Sequence, residues 1–281
     1  MTSGGSFDGW IGRAQSVADV AAPGPLERLS ALLDHNNLRW PQREVPPLAH
    51  WLYFLPCAPQ SQIGPDGHPR RGDFLPPIDL PRRMWAGSRV EFLRPIPIGA
   101  AILRRSAIAS VTEKSGAGGP MMVVTVRHEI SAEGSPAIVE EQDIVYRNAT
   151  SPASTPLREA GQPTRAAASR EIVLDSIALF RFSALTFNAH RIHFDREYAR
   201  NVEGYPGLVV QGPFTAILLM DHFLGTNTGA RIGTVAIRAL RPLFEDTPFR
   251  LCLAQGGDRV KLWALDPSGR EAMAAQLTIE N

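Results

Sequence analysis

The chain has 281 residues, of which 44% are hydrophobic and 20% charged, with a net charge of +1. This composition is typical of a soluble globular protein with a sizeable core, and the near-zero net charge gives no support for nucleic acid binding. No apolar run approaches the roughly 18 residues of a membrane-spanning helix, no signal peptide is visible, and the cysteines, Cys57 and Cys252, fit a reduced compartment, so we expect a cytoplasmic protein that binds no membrane.

The first half of the chain carries one short helix candidate followed by four strand candidates. The apolar stretch over residues 47–55 predicts a buried helix. Alternating and β-branched residues then predict strands, at residues 89–92, 101–111, 121–130 and 137–146. Glu133-Gly134 between the last two strands is typical of a hairpin turn.

A segment rich in Ser, Thr, Pro and Ala separates two halves of similar organisation. It covers residues 148–169 and has no hydrophobic period, as expected of a linker. We therefore predict an N-terminal unit over residues 1–147 and a C-terminal unit over residues 170–281.

The second half contains a stronger helix candidate, again followed by four strands. The stretch from Pro213 to Leu224 is apolar almost all round, which predicts a buried helix. Pro213 suits the first helical position, and Gly225 suits the end. The predicted strands follow at residues 233–240, 249–254, 260–265 and 272–279.

The two halves share a weak internal repeat. Leu93-Arg94-Pro95 and Leu240-Arg241-Pro242 both follow the first long strand of their half, and the same strand order comes after each. This arrangement indicates a duplicated α+β unit. A buried helix wrapped by a curled antiparallel sheet, made twice, is a double hot-dog fold, although ferredoxin-like repeats satisfy the same pattern.

The residues that indicate chemistry are clustered just before the second helix. Asn188, His190 and His193 lie within six residues of one another. Histidine titrates near neutrality and suits proton transfer to and from water, and an asparagine can hold a water molecule by hydrogen bonds. A His-x-x-His pair also suits zinc, but no third ligand is evident, so we predict neither a metal nor another cofactor.

Further candidates surround this cluster. Gly212 opens the second helix, where free backbone N–H groups and the helix dipole would stabilise a thioester enolate oxygen. Arg191 is a basic candidate for CoA phosphates or a substrate carboxylate, and Tyr205 and Gln211 are candidates for substrate binding.

Arg82 and Arg83 are further basic candidates for CoA phosphates or a substrate carboxylate. For this pair, ordinary surface charge explains the residues equally well.

Residues 186–193 resemble the hydratase-2 motif of MaoC-like dehydratases, S-G-D-x-N-P-[IL]-H. Asn188 stands in the place of the family's catalytic Asp, His190 in the place of the Asn, and His193 in the place of the catalytic His. The strings FSALTFNAHRIHFD, EGYPGLVVQGP, RRMWAGSRVEF and EEQDIVYR are similar to those of mesaconyl-C4-CoA hydratases and mitochondrial type-2 3-hydroxyacyl-thioester dehydratases. In that subgroup the same Asn and HRIH replace the Asp and NPIH.

The resemblance implies a double hot-dog protein, often dimeric, in which the first half lacks the catalytic motif and shapes the acyl pocket. It implies a hydro-lyase for a 2-enoyl-CoA or 3-hydroxyacyl-CoA thioester, most closely a short branched dicarboxylyl-CoA such as mesaconyl-C4-CoA. His193 would be the general acid/base, Asn188 would position the water, and His190 would orient one of them or share the proton. The alternatives are a hot-dog acyl-CoA thioesterase and a non-catalytic acyl-CoA-binding protein. Which carboxylate supports His193 stays open.

Overall fold

A computed structural model describes residues 7–35, 43–116, 119–148 and 166–280. Its strands are β1 (Ala14–Val20), β2 (Arg82–Phe92), β3 (Ala101–Gly116), β4 (Gly119–Ala132), β5 (Ser135–Arg147), β6 (Ala168–Ile172), β7 (Arg231–Ala239), β8 (Phe249–Gly256), β9 (Arg259–Leu265) and β10 (Glu271–Glu280). Its α-helices are α1 (Pro23–Leu32), α2 (Ser176–Leu185), α3 (Arg196–Asn201) and α4 (Gly212–Thr226). Within these ranges no helix combines the length and apolarity needed to cross a bilayer.

All ten strands belong to one antiparallel sheet with a mirrored order. The order is β1-β3-β4-β5-β2-β7-β10-β9-β8-β6, so the second half repeats the order of the first in reverse. The halves meet where β2 pairs with β7, with Gly87 opposite Arg238 and Glu91 opposite Thr234. Strand pairing across this seam makes one continuous sheet, which confirms the predicted α+β double hot-dog architecture.

Equivalent backbone hydrogen bonds confirm the duplication that the shared tripeptide predicts. The Leu93 N–H donates to the Ala137 carbonyl at 2.8 Å, and the Leu240 N–H donates to the Ala272 carbonyl at the same distance. In both halves, the residue that follows the first long strand (β2 or β7) therefore donates a hydrogen bond to the start of the last strand (β5 or β10). Leu-Arg-Pro therefore ends β2 and β7 for the same reason, since a following proline has no N–H to continue the ladder.

The helix predicted from Pro213 to Leu224 is confirmed as α4. Pro213 lies in its first turn, where the missing N–H costs no intrahelical bond, and every residue from 214 to 224 is buried. The helix contacts β8, β9, β10 and also β2 of the first half. It is apolar almost all round because the sheet covers one side and other segments cover the rest: the ring of Phe182 in α2 stacks on that of Phe214 with centroids 4.5 Å apart.

The helix predicted at residues 47–55 is wrong, because this stretch forms a single 3₁₀ turn, Ala49–Leu52. The turn is the counterpart of the start of α4: the Val45 N–H donates to the Ile96 carbonyl much as the Val210 N–H donates to the Leu243 carbonyl. Positive φ angles bound the turn, 69° at Leu48 and 55° at Phe54. Residues in the left-handed region end a helix, so apolar character alone did not make one here.

A buried carboxylate organises the interior of the first half in place of a long helix. Glu140 of β5 accepts hydrogen bonds from the Trp51 indole at 2.9 Å and from the Gln142 amide at 2.9 Å, and lies 3.0 Å from His50 Nε2. The Ser88 hydroxyl also donates to it. Burial raises the pKa of Glu140, but the hydrogen bond and charge of His50 together with the other donors lower it to about 2. The 3₁₀ turn is therefore held by polar contacts to the sheet.

The predicted linker falls mostly outside the described residues. β5 ends at Arg147 and β6 begins at Ala168, while residues 149–165 are not among those described. The boundaries 1–147, 148–169 and 170–281 stay predictions.

Candidate active site

The histidine segment begins where α2 ends. Asp175 caps the start of that helix by accepting the Ala178 N–H, and the chain turns at Phe187, whose φ is +49°. Asn188 follows, and its Oδ1 accepts the backbone N–H of His190 at 3.0 Å. In the described part of the chain, no acceptor contacts its Nδ2 group. Asn188 thus shapes the turn with one end of its amide and keeps two N–H donors for another partner.

His193 is held in one tautomer by the backbone. Its Nδ1 lies 2.7 Å from the Val209 carbonyl oxygen, and a carbonyl can only accept, so Nδ1 carries the proton. Nε2 therefore carries the lone pair, and no donor of the described residues contacts it. Burial lowers the pKa of His193 to about 4, against a smaller opposing effect of the Val209 hydrogen bond. At neutral pH the ring is an uncharged base with Nε2 available.

A third histidine, from the first half, completes the cluster. The rings of His190 and His193 meet edge to face with centroids 5.3 Å apart, and the ring of His68 lies 4.1 Å from that of His190. Burial, with the nearby His68 and His193, lowers the pKa of His190 to about 2. Burial also lowers the pKa of His68. All three rings are therefore neutral near pH 7.

Asp66 provides the carboxylate that the second half lacks. Its Oδ2 lies 3.0 Å from His68 Nδ1, and its Oδ1 accepts the His68 backbone N–H at 3.0 Å. Burial raises the pKa of Asp66, but the hydrogen bond and charge of His68 and the charge of Arg83 together lower it well below its usual range. The carboxylate therefore supports His68, whereas His193 rests on a carbonyl.

The loop that carries Asp66 and His68 is docked directly on the histidine segment. The Arg191 N–H donates to the Asp66 carbonyl at 2.9 Å, and the Arg191 guanidinium donates to the Pro65 carbonyl at 3.1 Å. Gly67, which lies between Asp66 and His68, has a φ of +88°, and a Cβ there would lie 1.7 Å from the Ala189 carbonyl oxygen. Only glycine permits this approach, so the loop position depends on Gly67.

Gly212 lies at the first position of α4, three residues after the carbonyl that holds His193. Its N–H is one of those at a helix start with no intrahelical acceptor. A Cβ at this position would lie 2.7 Å from the Trp85 ring of the first half. The helix start is thus close to His193 and is flanked by an aromatic side chain of β2.

The remaining predicted site residues bind within the protein. Arg191 donates two hydrogen bonds to Asp195 Oδ2, at 3.0 and 2.6 Å, and Tyr205 is buried. Gln211 is also buried, and its Nε2 donates to the Leu179 carbonyl and the Ser183 hydroxyl. Gln211 Oε1, by contrast, is buried with no hydrogen-bond partner among the described residues. The binding roles predicted for Arg191, Tyr205 and Gln211 stay untested.

Sequence reasoning missed Asp66, Gly67 and His68. The stretch around them has no hydrophobic period, and His190, which His68 contacts, lies more than 120 positions away along the chain. An Asp and a His on either side of a glycine in a long irregular loop are the one signal that could have pointed to them. It has no meaning until the loop is placed.

The cluster also has a spacing that a cation could use. One donor atom each of Asp66, His68 and His190 lies within 4.8 Å of the others. Burial is the main cause that lowers the pKa of His68, and the charges of Arg83 and Arg71 add to it while Asp66 opposes it. The predicted absence of a metal is not tested by this geometry.

A cavity of about 160 Å³ lies elsewhere, at the C-terminal end of α4. Leu224, Ala230 and Arg231 line it together with Phe92 and Arg94 of the first half. None of the three histidines borders it, so it is separate from the candidate active site.

Comparison with known families identifies the chain. Residues 48–245 match the family model described as hydroxyacyl-thioester dehydratase type 2. The chain belongs to this family. The matched range includes both the loop with Asp66 and His68 and the segment with His190 and His193. As a type 2 hydroxyacyl-thioester dehydratase, the chain is a hydro-lyase whose substrates are thioesters, and the predicted hydratase activity is confirmed at that level.

Individual relatives agree with the family assignment. The type 2 dehydratase chain is 46% identical over 277 residues to a mesaconyl-C4-CoA hydratase of Chloroflexus aurantiacus, with 96% of each chain covered. A MaoC-like dehydratase of Phytophthora capsici aligns with a TM-score of 0.69 at 14% identity, covering 96% of both chains. A Mycobacterium tuberculosis protein with a double hot-dog fold aligns with a TM-score of 0.60 at 13% identity, again covering 96% of both chains. The two structural likenesses concern the fold alone.

Proposed function

We propose that this type 2 dehydratase reversibly hydrates a short, branched dicarboxylyl-CoA thioester such as mesaconyl-C4-CoA. The observation that carries the chemistry is His193, a buried neutral imidazole with its Nδ1 proton donated to Val209 and its Nε2 lone pair available. The substrate class is inferred from the relative that is 46% identical over nearly the whole chain.

The proposed reaction needs only proton transfer and stabilisation of an oxyanion. His193 Nε2 removes a proton from water while the water oxygen bonds to the β-carbon of the enoyl thioester. The electron pair of the double bond moves onto the thioester oxygen, and the N–H of Gly212 stabilises the resulting enolate. The His193 imidazolium then protonates the α-carbon, so that both parts of the water molecule are accounted for.

The neighbouring polar groups have supporting roles in this proposal. The Nδ2 group of Asn188, which no described acceptor contacts, donates to the attacking water. His190 lies against His193 and holds its ring in place. His68, with Asp66 on its Nδ1, supplies a second imidazole whose protonated form a carboxylate stabilises, so His68 shares the proton while it is held between water and the α-carbon.

Replacing Asp66 with asparagine should lower kcat at least about tenfold, since the amide keeps the size of the carboxylate but removes the charge that stabilises a protonated His68. Asp73→Asn is the matched control, because Asp73 is exposed in the same stretch of the chain. Steady-state kinetics at pH 7 with circular dichroism of each variant check the prediction. Equal kcat values for the two variants would remove Asp66 and His68 from the mechanism.

The experiment that tests the proposed function is a turnover assay with two readouts. Mesaconyl-C4-CoA and crotonyl-CoA are incubated with the purified protein in EDTA, while enoyl absorbance and free thiol are both followed. We expect loss of absorbance without thiol release. Thiol release would favour the thioesterase alternative, and tight binding of both thioesters without either change would favour an acyl-CoA-binding protein.

Four further assignments are retained as proposals. The chain forms a homodimer in the cytoplasm, and its two units are bounded by residues 147 and 170. Arg191, Tyr205 and Gln211 contribute to substrate binding, Gln211 through its buried Oε1, which has no hydrogen-bond partner among the described residues. Light scattering coupled to gel filtration tests the dimer.

A further inference from the structure

Arg83 is a cation of the candidate active site that has no counter-ion in ion-pair contact. Of two arginines nearby, Arg82 has a counter-ion, Glu203, whose Oε2 lies at 2.9 Å. Arg71 has none in ion-pair contact within the described ranges, but its guanidinium donates to the carbonyls of Leu80 and Pro81 at 2.6 and 2.9 Å. Among the described residues, no carboxylate lies within ion-pair distance of Arg83. Burial lowers the pKa of its guanidinium, and the opposing effects of Tyr146 and of the more distant Asp66 carboxylate offset this lowering only in part.

The strand β2 directs Arg83 towards the reacting groups. Arg83 and Trp85 are two residues apart on β2, so their side chains lie on the same face of the strand, about 6–7 Å apart along it. Trp85 packs against Gly212, the proposed site of the thioester oxygen. The charge of Arg83 acts on His68 and lowers its pKa, and it acts in the same way on His190. Arg83 therefore shares a face of β2 with the residue that packs against Gly212, and its charge reaches His68 and His190.

Tyr146 provides a second polar group beside Arg83. It lies opposite Arg83 in the β2–β5 ladder, and the two side chains interact electrostatically. The Tyr146 side chain is fully buried, and its hydroxyl interacts with the Arg83 guanidinium without a hydrogen bond of ordinary geometry. A carboxylate bound between the two groups would satisfy both. A guanidinium and a hydroxyl side by side are suited to a carboxylate.

The proposed substrate carries its free carboxylate at the matching position. In a mesaconyl-C4 thioester, the free carboxylate and a methyl group are attached to the carbon that water attacks. A group that binds this carboxylate must therefore lie near the base, and the charge of Arg83 acts on His190, whose ring contacts that of His193. We propose that Arg83, assisted by the Tyr146 hydroxyl, binds the free carboxylate of the acyl group and so determines specificity for dicarboxylyl thioesters. This inference rests on the proposed function for its choice of substrate.

A comparison of two substrates that differ only at this carboxylate tests the inference. 3-Methylcrotonyl-CoA replaces the carboxylate of mesaconyl-C4-CoA with a methyl group. The ratio of kcat/KM for the acid to kcat/KM for this analogue should fall about 10- to 100-fold in Arg83→Met, because a charge-assisted bidentate contact is lost. Arg83→Lys should retain part of the ratio. Arg89→Met, on the same strand but exposed and paired with Asp143, should keep the wild-type ratio.

A binding measurement separates failure of this inference from failure of the proposed function. Calorimetry compares succinyl-CoA with butyryl-CoA, which differ only by a carboxylate in place of a methyl group and need no turnover. Wild type should prefer succinyl-CoA, and Arg83→Met should lose that preference while retaining the wild-type circular dichroism spectrum. If Arg83→Met keeps both the wild-type kcat/KM ratio and the binding preference for succinyl-CoA, the inference is overturned. If wild type hydrates neither enoyl thioester but still prefers succinyl-CoA, the proposed reaction fails and the carboxylate site stands.

Discussion

Replacement of His193 by alanine should lower kcat by about 100- to 10,000-fold, the usual contribution of a positioned general base. The His193 ring is held by the Val209 carbonyl with Nε2 as its basic atom, and the neighbouring His190 is too weak a base to replace it, since burial lowers the pKa of His190 to about 2. Continuous assays of enoyl absorbance with mesaconyl-C4-CoA measure the fall in kcat.

The matched control for this change is His222→Gln. His222 is also a buried histidine, but it lies well along α4, away from the histidine cluster. We expect His222→Gln to alter thermal stability rather than kcat. A His193→Ala variant that is folded and within a few-fold of wild-type kcat would show that another group is the base.

The pH dependence of the wild type should differ from that of an exposed histidine. Because the pKa of His193 is lowered to about 4, the neutral base is fully present at pH 7 and is lost only as the pH falls through about 4. Between about pH 6.5 and pH 4, the unfolded state binds a proton on this histidine and the folded state does not. The free energy of unfolding therefore decreases by about 1.4 kcal/mol for each pH unit of acidification in this window, for each histidine whose pKa is lowered in this way. Rates and thermal melts measured together at each pH separate the two effects.

Gly67→Ala should displace the loop of the first half that carries Asp66 and His68 from the active site. The new Cβ would lie 1.7 Å from the Ala189 carbonyl, and the φ of +88° is strained for any L side chain. The loop must move by more than 1 Å, which displaces Asp66 and His68 from His190. Since misplacement on this scale can cost about 100-fold in rate, we expect kcat to fall by about that factor.

Gly72→Ala is the control that separates strain from collision. Gly72 has a similar φ of +97°, but a Cβ there would meet only the Pro77 side chain at 3.7 Å. Both variants therefore incur conformational strain, of about 1–2 kcal/mol. We expect Gly72→Ala to lower the melting temperature while keeping kcat near the wild-type value. Equal kcat values in the two variants would argue against a role for the loop position.

Much of the architecture could be predicted from local sequence patterns. Alternating residues predicted eight of the strands, and the apolar stretch from Pro213 to Leu224 predicted α4, because burial on one face or on all faces leaves a direct mark on residue order. The repeated Leu-Arg-Pro predicted the duplication, and the bonds from Leu93 and Leu240 show why that tripeptide ends the same strand twice.

Three segments that the residue patterns do not reveal share a physical cause, and the short helices α1, α2 and α3 were missed as well. The stretch over residues 47–55 is as apolar as a buried helix, but the positive φ at Leu48 and Phe54 and the polar contacts of its turn to Glu140 stop a helix from forming. β1 and β6 are short and largely exposed edge strands, so they show little alternation. Tertiary contacts decide such segments, and their residue pattern does not.

By itself, the sequence determined the duplicated α+β plan, the buried helix α4 and the histidine segment, since each depends on residues close together along the chain. Only the tertiary structure decided how the site is completed. Pairing of β2 with β7 brings Arg83 and Trp85 to the second half, and the docking of Gly67 on Ala189 brings Asp66 and His68 to His190. The carboxylate that the histidine segment lacks in its own half thus comes from residues more than 120 positions away, a distance over which local patterns carry no information.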